Sequence, residues 1–230
     1  MTDWTEYALA LVLFIGSHLL PRTGGLRERL AHVIGRRAYL AGYGLLSLVL
    51  LAWVISAAIR APHVELWPQA PWTRWAPNLA LPLAFVLATC GAGLRQPYTL
   101  GGKRGAGFDP RTPGFAAVSR HPLFLALALW SGAHLLPNGD LAQVILFGAF
   151  LVMALAAIPA FDARARSGLG PEARAFFEAT AILSPAPLLR PDWMRANGRR
   201  MGLRALVGLA LWQGSLHLHG LLIGASPFPA

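Results

Sequence analysis

The chain has 230 residues, of which 55% are apolar and only 13% are charged. Soluble domains contain about 25% charged residues, so this composition excludes an ordinary soluble protein and favours one embedded in a membrane. The formal net charge of +10 does not predict nucleic-acid binding, because the basic residues lie between apolar blocks rather than in one continuous patch.

Six apolar blocks, taken in chain order, predict six transmembrane helices. Most of them approach the roughly 20 residues that an α-helix needs to cross the hydrocarbon core of a bilayer. We therefore predict an all-α fold, a polytopic membrane helical bundle in which residues 1–230 form a single domain. The predicted spans are Trp4–Pro21, Ala38–Ile59, Leu79–Leu94, Pro122–Leu136, Leu141–Phe161 and Leu203–Ile223.

The basic residues predict the orientation of this bundle. All Lys and Arg residues except Arg60 and Arg74 lie in or next to the links that follow the first, third and fifth spans. Positively charged links stay in the cytoplasm, so both termini are predicted on the non-cytoplasmic side. The residues of these links are Arg22, Arg27, Arg29, Arg36, Arg37, Arg95, Lys103, Arg104, Arg111, Arg120, Arg164, Arg166, Arg174, Arg190, Arg195, Arg199, Arg200 and Arg204.

The longest polar stretch, about residues 162–202, is predicted as a cytoplasmic amphipathic segment. Pro171 suits the first turn of a helix, where its missing N–H has no cost. Phe176 and Phe177 follow on an otherwise charged helix, which indicates a position on the membrane surface or under the bundle. Neither position implies chemistry.

Histidines in or near the spans are the candidate functional residues, because ionisable side chains are costly inside a bilayer. His121 and His134 lie about 20 Å apart along one helix, so they cannot share a metal. In the predicted orientation, His134 lies at the same depth in the membrane as His217 and His219, at the outer ends of their spans, so it pairs with one of these two. His18 pairs with His121 at the inner ends. At each position an ordinary hydrogen-bonded histidine is the alternative interpretation.

The sequence Arg120-His121-Pro122 opens the fourth predicted span. An arginine and a histidine at a helix N-terminus are suited to an anion or a cofactor, so Arg120 and His121 are the predicted catalytic residues at the cytoplasmic mouth of the bundle. The alternative is a basic helix start that only anchors the chain at this face. No carboxylate lies deep in a predicted span, so catalysis by paired carboxylates is not expected.

Two stretches of the sequence are informative together. One is His18-Leu19-Leu20-Pro21, with the basic run that leads to Tyr39–Trp53; the other is Arg120-His121-Pro122, with Trp130, His134-Leu135-Leu136 and Asn138-Gly139-Asp140. They resemble the NnrU family of bacterial membrane proteins over nearly the whole chain. The resemblance implies a location in the bacterial inner membrane, and the family's association with denitrification loci implies a link to nitric oxide metabolism.

NnrU proteins are similar in turn to zeta-carotene isomerase of plastids and cyanobacteria, which uses b-type haem to convert a cis double bond to trans. Its ligand histidines match His18 and His134, so the similarity implies these two as metal ligands, with Trp130 of the same motif at the cofactor. Its proposed exchangeable cysteine falls at Ser131, which argues against a redox-driven ligand switch. His134 is the ligand on which similarity and depth agree, whereas His18 and His219 compete for the second position.

A more distant similarity runs to membrane methyltransferases of the isoprenylcysteine type. These also begin a helix with Arg-His-Pro, and they bind S-adenosylmethionine in a tail like Phe161–Pro185, whose acidic residue corresponds to Asp162 or Glu178. The leading hypothesis is a membrane protein that binds haem b and acts as a redox or isomerase-type enzyme on a hydrophobic or small-molecule substrate. The alternatives are a membrane S-adenosylmethionine-dependent methyltransferase and a non-catalytic assembly or transport factor.

Overall fold

The structure, a computed structural model, describes residues 4–22, 24–103 and 107–228. These residues form eight α-helices joined by loops and short 3₁₀ turns, with no β-strand among them. The all-α class is therefore confirmed. Arg104, one of the basic residues that orient the predicted bundle, lies outside the described residues.

By its internal contacts the chain divides into two units. The first comprises residues 1–68 and 139–146, and its helices are α1 (Trp4–Leu19), α2 (Leu26–Ile34) and α3 (Arg36–Arg60). The second comprises residues 69–138 and 147–230. Its helices are α4 (Trp75–Gly91), α5 (Pro122–Leu135), α6 (Leu141–Leu169, which starts in the first unit), α7 (Ala173–Ala179) and α8 (Pro191–Ile223).

In the first unit α1 packs against α3. The Glu6 carboxylate accepts hydrogen bonds from Trp53 Nε1 at 3.1 Å and from Arg60 Nη2 at 2.6 Å, and so joins the two helices near one end. The short helix α2 was not predicted, because nine residues within a basic link do not produce the pattern of a span. It is separated from α3 by Gly35, whose φ of 83° lies in the region that favours glycine.

In the second unit α4 packs against both α5 and α8. Their shared core contains Leu87, Cys90 and Ala126. Small residues allow the close approach: a β-carbon at Gly91 would overlap the Pro122 ring at the start of α5. Close packing at glycines is typical of helices that associate inside a membrane.

Three helical segments are long and apolar enough to cross a membrane: Arg36–Arg60, Leu141–Ala179 and Pro191–Ile223. They indicate a membrane protein. The remaining predicted spans correspond to α1, α4 and α5, which have 16, 17 and 14 residues. Six membrane crossings therefore stay a prediction.

The helices on either side of the polar segment 162–202 are longer than the predicted spans. Helix α6 does not end at Phe161 but continues to Leu169, and α8 begins at Pro191 rather than Leu203. Both helices extend because alanine and arginine, which are common in these stretches, are good helix formers whether or not they lie in lipid. Within this segment Phe176 of α7 is almost completely buried, so it packs into the protein.

Candidate functional site

A partly open pocket with a cavity of about 80 Å³ lies where α4 begins and where α5 and α8 end. We call it the histidine pocket, because His134 of α5 and His219 of α8 both line it. Its other walls include the apolar side chains of Leu81, Trp212 and Leu216. The two histidines that the depth prediction paired therefore contact the same space.

The ring of His134 is held in one orientation. Its Nδ1 lies 2.7 Å from the carbonyl oxygen of Trp130, one helical turn earlier, and its ring stacks on Phe147 at 5.1 Å between centroids. A carbonyl oxygen only accepts hydrogen bonds, so Nδ1 carries the proton and donates it. The Nε2 atom of the neutral ring then keeps its lone pair, as an imidazole that ligates a metal requires.

His219 has the same arrangement. Its Nδ1 donates to the carbonyl oxygen of Ala225 at 2.8 Å, which again leaves the lone pair on Nε2. His217, two residues earlier, is exposed, and its ring lies 6.1 Å from that of Phe228. His217 does not line the histidine pocket. The structure therefore distinguishes His219 from His217, which the predicted depth in the membrane did not.

His18 lies in the first unit, near the end of α1. Its Nδ1 is 2.8 Å from the carbonyl oxygen of Phe14, and its ring packs 4.6 Å from the Phe14 ring and 5.9 Å from that of Tyr43. The bond to a carbonyl oxygen gives His18 the same Nδ1–H form as His134 and His219. In all three candidate ligands the lone pair of the neutral ring is therefore on Nε2.

A second group, the buried ion cluster, consists of Arg120, His121 and Asp162. Arg120 donates from Nε to Asp162 Oδ1 at 2.9 Å and from Nη2 to Oδ2 at 2.6 Å, so the ion pair is bidentate. His121 Nε2 lies 2.8 Å from Asp162 Oδ1. All three side chains are less than a tenth exposed.

His121 is held in the neutral form by its surroundings. A carboxylate only accepts, so Nε2 donates to Asp162, and Nδ1 accepts from the Thr99 hydroxyl at 3.2 Å. Burial lowers the pKa of the His121 imidazole, although Asp162 opposes that effect. The cluster is therefore one cation and one anion, with a neutral ring beside them.

The buried ion cluster also ties loops to helices. Gln96 Nε2 donates to the Arg120 carbonyl oxygen at 2.8 Å, and the Arg120 N–H donates to the Ala181 carbonyl oxygen at 2.7 Å. The Phe177 ring lies 5.1 Å from the Arg120 guanidinium carbon. The sequence placed Arg120 and His121 together, but it offered Asp162 only as one of two acidic matches in the tail and did not place it beside them.

The two groups lie at opposite ends of α5, since His121 directly precedes the helix and His134 is in its last turn. The family comparison covers both groups, because residues 6–227 match the model of the family described as NnrU protein. The chain belongs to the NnrU family. No curated protein and no solved structure matches it.

In this NnrU protein Ser131 lies one turn before His134 in α5. Its hydroxyl is fully buried and donates to the Leu127 carbonyl oxygen at 2.7 Å, within its own helix. Trp130 packs 5.4 Å from the His134 ring and 5.2 Å from Phe147, so it supports the histidine from one side. In the described part of this NnrU chain no three His, Cys, Asp or Glu side chains are grouped around a possible metal.

Proposed function

We propose that this protein binds haem b in the histidine pocket, in the bacterial inner membrane, and acts as a redox or isomerase-type enzyme. The observation that carries the proposal is that His134 and His219 line one pocket, each with Nδ1 bonded to a backbone carbonyl oxygen. Metal-ligating histidines usually donate their second ring N–H in this manner.

The residues present suit a haem. Its porphyrin supplies four nitrogen ligands, so the protein needs to add only one or two axial histidines rather than a larger cluster. The walls formed by Leu81, Trp212 and Leu216 suit an apolar macrocycle. The cavity itself holds only about 80 Å³ and is open on one side, so most of a macrocycle would lie at its mouth. Bound haem would supply iron for electron transfer or for binding a small molecule, in keeping with the family's link to nitric oxide metabolism.

The second axial position has two candidates. Similarity to the isomerase favours His18, whereas the shared pocket favours His219. We assign His134 as the first ligand and His219 as the second, because both line the same space and present a lone pair on Nε2.

His134→Ala is expected to abolish six-coordinate haem in the purified, haem-loaded protein, since the variant loses an axial nitrogen. His219→Ala is expected to leave five-coordinate haem, and His18→Ala to leave the spectrum unchanged. The reduced visible spectrum measures all three. His217→Ala is the matched control, because His217 lies on the same helix outside the pocket and should leave the spectrum unchanged. An unchanged spectrum in His134→Ala would reject the proposal. Losses in His134→Ala and His18→Ala, with His219→Ala unchanged, would restore the pairing implied by similarity.

A membrane methyltransferase is the second candidate, and the position of Asp162 beside Arg120 and His121 favours it, since an acidic residue accompanies Arg-His-Pro in those enzymes. The bonding within the cluster weighs against it. The Arg120 guanidinium already has a bidentate carboxylate partner in the chain, so it is poorly placed to bind the carboxylate of S-adenosylmethionine. Calorimetric binding of S-adenosylmethionine, lost in Arg120→Lys, would favour this candidate over the haem protein.

The orientation of the protein gives a separate prediction. The distribution of basic residues places Arg36 in the cytoplasm and Gln69 outside it. In a Cys90→Ser background, an impermeant thiol reagent added to intact cells should label Gln69→Cys and should not label Arg36→Cys. Both native residues are exposed, so accessibility within the protein does not limit the reaction. The opposite labelling pattern would reverse the proposed topology.

A further inference from the structure

We propose that Arg74 forms an anion-binding end of the histidine pocket and binds a carboxylate of the ligand, so that the pocket selects an amphipathic anion. The inference rests on the proposed function in one respect: for haem, the carboxylates are its propionates. It goes beyond that function because it assigns the polar end of the ligand to a residue that carries no metal-binding role.

The charge of the pocket supports this assignment. Of the described residues that line it, Arg74 alone carries a formal charge, and no carboxylate is among them. Arg74 is half-buried at the end of the 3₁₀ turn Pro71–Arg74, directly before α4. A guanidinium presents five N–H donors in a planar fork that matches the two oxygens of a carboxylate.

The pocket has a polar and an apolar part, as an amphipathic ligand requires. Arg74 directly precedes α4, Asn78 lies in the first turn of that helix, and Leu81 follows one turn further along. Trp212 and Leu216 of α8 continue the apolar wall. A ligand with its carboxylate at Arg74 would therefore place its ring system against these apolar side chains.

The C-terminal segment Ala225–Phe228, which we call the strap, keeps Arg74 in position. Arg74 donates from Nη1 to the Phe228 carbonyl oxygen at 3.0 Å, and Asn78 donates to the Pro227 carbonyl oxygen at 2.7 Å. Ala225 of the strap accepts the bond from His219. The strap thus fixes both the guanidinium and one candidate axial ligand, while only one of the five donors of Arg74 is used in the bond to Phe228.

Binding of an anion by Arg74 can be separated from its bond to the strap. Arg74→Gln removes the charge but keeps an amide donor for the Phe228 carbonyl oxygen. Arg195→Gln removes the charge of an exposed arginine that does not line the pocket. If Arg74 binds a carboxylate, only the first variant should lose the preference for an anionic ligand.

The experiment compares two metal-free probes, protoporphyrin IX and its neutral dimethyl ester, in the purified full-length protein at a fixed detergent concentration. Binding is followed by porphyrin fluorescence, which does not depend on iron or on its ligands. We expect the wild-type protein to bind the diacid about tenfold more tightly than the ester, the effect of one charge-assisted hydrogen bond. Arg74→Gln should lower that ratio to near one, Arg74→Lys should retain part of it, and Arg195→Gln should leave it unchanged.

The outcomes distinguish this inference from the haem proposal. A ratio in Arg74→Gln equal to that of the wild-type protein, or no binding of either porphyrin, would overturn the anion-binding end. Detergent partitioning of the ester cancels, because the ratio is compared between variants in the same detergent. A preference for the diacid that depends on Arg74, together with an unchanged haem spectrum in His134→Ala, would support the anion-binding end and reject the axial assignment.

Discussion

Asp162→Asn is expected to destabilise the folded protein by about 3–5 kcal/mol, the usual cost of removing one partner from a buried ion pair. The substitution leaves the Arg120 guanidinium buried without its carboxylate, since both side chains are less than a tenth exposed. Asparagine has one accepting oxygen in place of two, so whichever way its amide turns, the NH2 group faces a donor of Arg120 or of His121. An amide has nearly the shape of a carboxylate, so the loss measures charge and hydrogen bonding rather than packing.

Unfolding of the purified protein in mixed micelles, followed by circular dichroism, measures this loss. Asp192→Asn is the control: Asp192 pairs with Arg195 at 3.0 Å, but both side chains are more than three-quarters exposed, and such a pair adds little stability. The double variant Arg120→Met with Asp162→Leu should recover much of the loss, because it removes both charges together. Equal stability of Asp162→Asn and the Asp192→Asn control would show that the buried ion cluster does not hold the fold.

The buried ion cluster also shows what the sequence could not reveal. Arg120 and His121 stand out because they are adjacent and open a helix with proline. Asp162 lies about 40 residues further along, at the point where the apolar block of α6 gives way to charged residues. It therefore has the pattern of the first residue of a cytoplasmic link, and only the continuation of α6 to Leu169 turns it into a buried helical residue.

The histidine pocket was easier to predict from the sequence than the buried ion cluster, because the depth of a residue in the membrane can be counted along a helix. The positions of His134 and His219 near the outer ends of their spans predicted a shared level, and both line the pocket. Arg74 and the strap could not be found in this manner. Both lie outside the predicted spans, and their contacts involve backbone carbonyl oxygens, which every residue offers.

Gly208→Ala is expected to destabilise the protein by about 1–3 kcal/mol, the usual cost of forcing an extra methyl group into a packed interface. A β-carbon at this position would lie 2.6 Å from Thr89 Oγ1 and 2.9 Å from the Phe85 carbonyl oxygen. Thr89 has another rotamer available, but the Phe85 carbonyl belongs to the backbone of α4. Relief of the second clash therefore requires α8 to move away from α4.

That displacement should also weaken ligand binding, because the face of α8 that packs against α4 also lines the histidine pocket. Arg204, one turn before Gly208, donates to the Ala92 carbonyl oxygen at 2.7 Å and so holds the end of α4. One and three turns after Gly208, Trp212 and His219 line the histidine pocket. Outward movement of this face lengthens the Arg204 bond and widens the pocket.

The matched control is Gly214→Ala, which lies on the same helix and has nothing within 4 Å of the added carbon. It should be neutral or slightly stabilising, since alanine is the better helix former by about 1 kcal/mol. The thermal unfolding temperature and the porphyrin affinity are measured on the same preparations. Both should fall in Gly208→Ala, and neither should fall in Gly214→Ala. If stability fell in Gly208→Ala while porphyrin affinity stayed constant, the α4–α8 interface would not determine the width of the pocket.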